Sequence, residues 1–241
     1  MYKGVRYLSI EKSGREPHNL IPFTLQSEKR VLVMTAVSGE REAVLRGLHN
    51  DLRFEVLVAG VGSVVAAVNT AKALATAEYG FVISAGIGGG FSGRAEVGSL
   101  VVASEIVVAD LGAETPEGFR SVDELGFGFS RVETDASLVE NFSAALLAAK
   151  IAVNIGPVLT VSTVTGTAAR GAELAARIPG ATAEAMEGYG VGFAALDRGL
   201  PVLELRAISN MVGPRERSTW RIKEALDVLE AASAVLTEVF L

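Results

Sequence analysis

The chain has 241 residues, 49% of them hydrophobic, with a formal net charge of −6, two histidines and no cysteine. That length and composition suit one globular domain with a sizeable core. They exclude disulfides and thiolate metal sites, leave little for a histidine-based triad, and provide no basic stripe for nucleic acid.

Residues 1–29 are mixed, polar and aperiodic, and read as an N-terminal arm of unknown role ahead of a single domain over 30–241. No charged-then-apolar leader is visible and no apolar run reaches a membrane-spanning length, so a cytoplasmic protein without a membrane partner is expected. From Arg30 the pattern becomes regular. "VLVMTAV" (31–37) predicts a buried strand, "GEREAVLRGL" (39–48) an amphipathic helix, "FEVLVAG" (54–60) a strand and "VGSVVAAVNTAKALAT" (61–76) a helix. "FVISAG" (81–86) and "GSLVVASEIVVAD" (98–110) read as strands, with the glycine-rich "SAGIGGGF" (84–91) as a loop between them. Residues 111–134 show no period and read as a long connection. A helix over 136–149, a strand over 157–163, a helix over 167–177 and a short strand over 181–186 follow. A helix from Glu187 to about Asp197, a strand over 201–209 and a long closing helix over 215–240 complete the chain. Strand and helix alternate nearly throughout, with no internal repeat. This predicts an α/β fold: a three-layer α/β/α single domain with a mixed, mostly parallel central sheet.

A glycine-rich stretch after a strand suggests a phosphate or a dinucleotide. The dinucleotide reading fails, because Gly86-x-Gly88 is followed by Gly89, Gly90 and Phe91, and a turn and strand come next in place of a helix. The glycines then serve either close backbone approach to a ligand or a simple turn. In open α/β sheets ligands bind beyond the carboxyl ends of the strands. The segments there are rich in Gly, Thr and Asn, carry the carboxylates Glu40 and Glu187, and lack histidine, cysteine and lysine. Acid–base work on a neutral, hydroxyl-bearing small molecule is expected, with no metal and no organic cofactor.

Four stretches, "GVGSVVAAVNTAKAL", "SAGIGGGF…EVGSLVVAS", "AMEGYG" and "ELRAISN", occur in the order found in the nucleoside phosphorylase and nucleosidase superfamily. Over about residues 30–240 the chain resembles that superfamily. Within it, the chain is most similar to the futalosine hydrolases, next to the methylthioadenosine/adenosylhomocysteine nucleosidases. The resemblance implies a purine nucleoside N-ribohydrolase that releases hypoxanthine on the alternative route to menaquinone, assembled as a homodimer or higher homo-oligomer. A nucleosidase for methylthioadenosine or adenosylhomocysteine, and a nucleoside-binding protein without turnover, are the alternatives.

The resemblance also implies roles for particular positions. Met186 would pack under the ribose and Glu187 would accept the 2′- and 3′-hydroxyls, a charge-assisted arrangement suited to a sugar. Glu40 stands where nucleosidases carry the glutamate that activates water. Each carboxylate has a plain alternative as an early-helix residue favoured by the dipole, as the neighbouring Glu42 illustrates. Asn210, after Ser209, stands where adenine-cleaving relatives have aspartate, and its amide suits a 6-oxo base. Phosphorylases place an arginine and a serine on phosphate where this chain has Ser84 and Ile87. The loop of Gly86, Ile87 and Gly88 is therefore expected to admit ribose and water. Thr165 lies in the 163–167 stretch, where no aromatic residue matches the one that nucleosidases stack on adenine. Arg215 and Arg217 are candidates for a substrate carboxylate, while Trp220 and His49 are expected to be structural.

Overall fold

The computed structural model describes residues 30–240; the arm assigned to 1–29 lies outside the described residues. The first strand, β1 (Arg30–Thr35), alternates in burial partners: Val31 and Val33 face one apolar cluster, Leu32 and Met34 the other. That period-two alternation with both faces apolar is what a strand covered on both sides requires. The first cluster is closed by α1 (Ser38–Gly47), α3 (Ala136–Ala148) and α6 (Ile222–Val239), through Val44, Phe142 and Leu229 among others. The second is closed by α2 (Ser63–Thr76) and α5 (Gly188–Asp197), through Ala66, Leu74 and Val191. Helices therefore cover both faces, giving the three layers that the alternation predicts. None of the described helices is long and apolar enough to cross a membrane.

The sheet is mixed. β1 pairs in parallel with β2 (Phe54–Val58) and with β3 (Tyr79–Gly90). β3 pairs in parallel with β10 (Val202–Met211), which runs antiparallel to β4 (Leu100–Val108). β4 and β8 (Val153–Thr160) are parallel, as are β8 and β9 (Ala183–Ala185). β9 then pairs antiparallel with the far end of β3, at Gly89 and Gly90, so five strands close into a ring. α4 (Ala168–Arg177) packs outside it, with Leu174 in a third apolar cluster against Phe91 and Leu159.

Three expectations change. The stretch 84–91 is no loop: it continues β3 to Gly90, a strand of 12 residues. The connection 111–134 contains the hairpin β5 (Gly112–Thr115) and β6 (Gly118–Ser121), then β7 (Arg131–Glu133) on the edge of β4. The closing helix starts only at Ile222, after a short 3₁₀ turn at Arg217–Thr219. Short strands with polar faces and the turn between Pro214 and the helix carry weak periodicity, which is why pattern alone misplaces them.

Candidate active site

The chain leaves β1 at Thr35 and turns into α1, which places Glu40 in the first turn. Its carboxylate folds back to accept N–H bonds from Ala36 (2.8 Å) and Val37 (3.2 Å) through Oε2. Bonding back to the residue before the helix is ordinary capping. Oε1, however, crosses to β3 and accepts from the Ile87 N–H at 2.9 Å. Glu40 is buried, and burial pushes its carboxyl above the usual range, opposed by Arg206 and the Ile87 N–H and assisted by Glu187.

Glu187 follows β9 by two residues and immediately precedes α5, yet its side chain does not cap that helix. It accepts instead from the Gly62 N–H (3.2 Å, Oε1) and the Met186 N–H (3.3 Å, Oε2). Gly62 has φ 93°, a left-handed conformation open to glycine, and this turns its N–H toward the carboxylate. The early-helix reading thus accounts for part of Glu40 and none of the Glu187 contacts.

Between the two carboxylates lies Arg206, 1% exposed, on β10. Its Nη1 stands 3.3 Å from Glu187 Oε2, its Nε donates to Glu204 Oε1 at 2.8 Å, and its Nη2 donates to Ser84 Oγ at 3.1 Å. Burial alone would lower the arginine's pKa, but Glu204, Glu187 and Glu40 together hold it above its ordinary value. Gly86 makes room for this group: a Cβ there would come within 2.6 Å of Glu40 Oε1 and 2.7 Å of Arg206 Nη1. The glycine therefore serves close approach of side chains and not a turn.

The other end of the candidate site is built from the same strand. Asn210 pairs in register with Gly89, within β10 and not after it as the sequence suggests. The Ser209 hydroxyl lies 2.9 Å from Asn210 Oδ1 and 3.2 Å from the Gly88 carbonyl. Asn210 Nδ2 donates to the Met211 carbonyl at 3.1 Å and keeps a second N–H. Asn210 lines a cavity of about 310 Å³ with Val97, Met211, Glu216 and Trp220.

Not every predicted residue joins this constellation. Ile87 contributes its N–H, while its side chain packs on the apolar core. Thr165 is buried, with its N–H (2.8 Å) and hydroxyl (2.5 Å) both donated to Glu184. Arg215 lies over the Trp220 ring at 5.2 Å, as Arg217 does at 5.9 Å, so both are engaged in cation–π contact. Sequence reasoning missed Arg206, Glu204 and Glu184. A signal was present for the first two: charges two apart in "VLELRAIS" share one face of an apolar strand, which a purely structural strand has no reason to carry.

The chain matches the phosphorylase superfamily over residues 25–241. It is 51% identical over 229 residues to a futalosine hydrolase of Streptomyces coelicolor, covering 87% of this chain and 95% of that protein. A futalosine hydrolase of Acidothermus cellulolyticus is 45% identical over 218 residues, covering 85% and 89%. Among solved structures, a Helicobacter pylori MTAN variant with 5′-methylthioadenosine in its active site superposes with a TM-score of 0.73. That match has 21% identity and covers 88% of this chain and 97% of the other, a likeness of fold.

Proposed function

Because the chain belongs to the phosphorylase superfamily, and within it to the futalosine hydrolases, we propose that it hydrolyses futalosine to hypoxanthine and the dehypoxanthinylated sugar. The C1′–N9 bond breaks with its electron pair leaving on the purine, and water supplies the new oxygen at C1′. Glu40 takes the proton from that water, and its raised pKa makes it a stronger base than an ordinary carboxylate. Glu187 accepts the ribose hydroxyls as positive charge develops on the sugar. Met186 lies beneath the ribose. Asn210 stabilises the departing base, which takes up a proton as it leaves.

The observation that carries the choice of base is the Asn210 amide. With Oδ1 held by Ser209, its free Nδ2 hydrogen is left for an acceptor on the ligand. A 6-oxopurine presents such an acceptor. An adenine presents an amino group at the same place, so a methylthioadenosine nucleosidase is the second reading. The choice of water over phosphate is supported by charge. Arg206 reaches Ser84, but with Glu40, Glu187 and Glu204 around it the pocket repels a phosphate dianion.

One panel tests the reading: kcat/KM for futalosine and for methylthioadenosine, with and without phosphate, in the wild type and in Asn210→Asp. The wild type is expected to release hypoxanthine from futalosine at a rate independent of phosphate. An aspartate would set an acceptor against the 6-oxo group, a buried mismatch worth about 1–3 kcal/mol, and shift the substrate ratio toward adenine by about 5- to 150-fold. Preference of the wild type for methylthioadenosine would give the second reading the lead, and a sugar 1-phosphate product would make the enzyme a phosphorylase.

We also propose that the protein works in the cytoplasm as a homo-oligomer. Val64, Val65 and Val68 lie exposed on α2, directly after the Gly62 that serves Glu187, and a second copy would cover them. Sedimentation should show a dimer or larger species for the wild type and a shift toward monomer for Val64→Glu. A monomeric wild type would refute the assembly.

A further inference from the structure

We propose that Glu204 is a positioning residue that holds the Arg206 guanidinium back from Glu187 and so leaves the Glu187 oxygens available to the sugar. This rests on the role proposed above for Glu187.

The geometry of the arginine is unequal. Its Nε lies 2.8 Å from Glu204 Oε1, an ordinary charge-assisted bond, whereas Nη1 lies at a looser 3.3 Å from Glu187 Oε2. Nε and Nη2 belong to one edge of the planar fork, and Glu204 and Ser84 occupy both. With that edge pinned, the guanidinium cannot advance on Glu187. An arginine free to do so would close to the shorter contact and occupy lone pairs that the ribose hydroxyls need.

Glu204 is a costly residue to keep for packing alone. It is 0% exposed, burial raises its pKa, and its Oε2 has no hydrogen-bond partner among the described residues. Its neighbours Leu203 and Leu205 show what the strand uses where only packing matters. A buried carboxylate with an idle oxygen asks for a purpose beyond the fold. The chain also makes a concession to it: a Cβ on Gly188, directly after Glu187, would come within 2.2 Å of both Glu204 oxygens. The charged groups facing this point are Glu40 from α1, Glu187 at the start of α5, and Glu204 and Arg206 from β10, with Ser84 of β3 beside them. Arg206 thus divides one positive charge among three carboxylates.

Glu204→Gln keeps the shape and a neutral acceptor for Nε while removing the charge. In a crystal structure of this variant without substrate, the Arg206–Glu187 separation is expected to close from 3.3 Å to about 2.8 Å. KM for futalosine should rise about tenfold with kcat within about threefold, the signature of lost uniform binding. The acid limb of kcat/KM should move down by about 1 pH unit, because the arginine's charge then falls more fully on Glu40, whose pKa it already lowers. Glu204→Asp, which keeps a carboxylate there, should hold the acid limb at its wild-type position. An unmoved arginine with unchanged KM and pH profile in Glu204→Gln, a lowered Tm being its only effect, would overturn the proposal. An acid limb displaced equally in both variants would also overturn it. The crystallographic distance needs no turnover, so a wild type inactive on futalosine would sink the proposed function and leave the clamp to be decided by the structure.

Discussion

Glu40→Gln lowers kcat by about 10²- to 10⁴-fold, the usual contribution of a positioned general base, while substrate affinity stays within a few-fold. The amide cannot take a proton from water, and that proton moves only in the transition state. The substitution also disturbs the fold locally. Three backbone N–H groups, of Ala36, Val37 and Ile87, converge on the two carboxylate oxygens. Glutamine offers one oxygen and one donor, so one end meets N–H with N–H, at a cost of about 1–3 kcal/mol. Single-turnover rates alongside Tm separate the two effects, since a folded variant with intact binding and lost chemistry identifies the base. The wild type should lose activity as pH falls through the raised Glu40 pKa, because only the ionised form accepts a proton. Near-normal turnover in Glu40→Gln would remove this residue from the mechanism.

Arg206→Met should be the most damaging substitution for stability, costing about 3–5 kcal/mol, and should leave no measurable activity. Among the described residues it removes the one cation paired with the buried carboxylates Glu187 and Glu204, which then face each other without it. The pH dependence has a definite sign. A carboxyl whose folded pKa is raised takes up its proton at a higher pH in the native state than in the unfolded chain. Its contribution to stability is therefore present below the unfolded pKa and is lost as pH rises through the folded value. Burial already raises Glu204 in this way, and loss of Arg206 removes the main opposing charge. The stability deficit of the variant should thus be smaller near pH 5 than near pH 8, by denaturant titration at both. A pH-independent deficit of under about 1 kcal/mol would show that the cluster is not a coupled charge system.

The layer architecture was legible because β1, β3 and β10 each carry an apolar run, Val31–Met34, Phe81–Ile83 and Val202–Leu203, and the helices between them carry clear periodicity. Glu40 and Glu187 were legible as carboxylates directly after strands. The strand character of Gly86 to Gly90 was not: glycine carries no side-chain pattern, and strand formation there depends on pairing with β10 residues more than 110 positions later. Arg206 and Glu204 were hidden for a related reason. Their i, i+2 spacing marks a shared strand face, but what they pair with appears only when Ser84, Glu187 and Glu40 arrive from three other elements. Thr165 is a candidate substrate contact in the sequence because its stretch, 163–167, follows a strand. Its donors are spent on Glu184, whose approach is set by sheet register and not by local sequence.

The long pairing of β3 with β10 has a consequence for how the protein is made. One wall of the site is complete once about the first 90 residues exist, but its counterpart is the last strand, Val202–Met211. Closing so large a loop is among the slower steps available to a chain, and parallel pairing makes it slower still. During synthesis β3 must therefore wait, glycine-rich and with an unpaired edge, for a strand emerging from the ribosome at the end of translation. At ≈ 5–20 residues per second that wait lasts on the order of ten seconds. A chain released before that strand lacks Arg206, Ser209 and Asn210, so it carries the first carboxylate and none of the groups set against it.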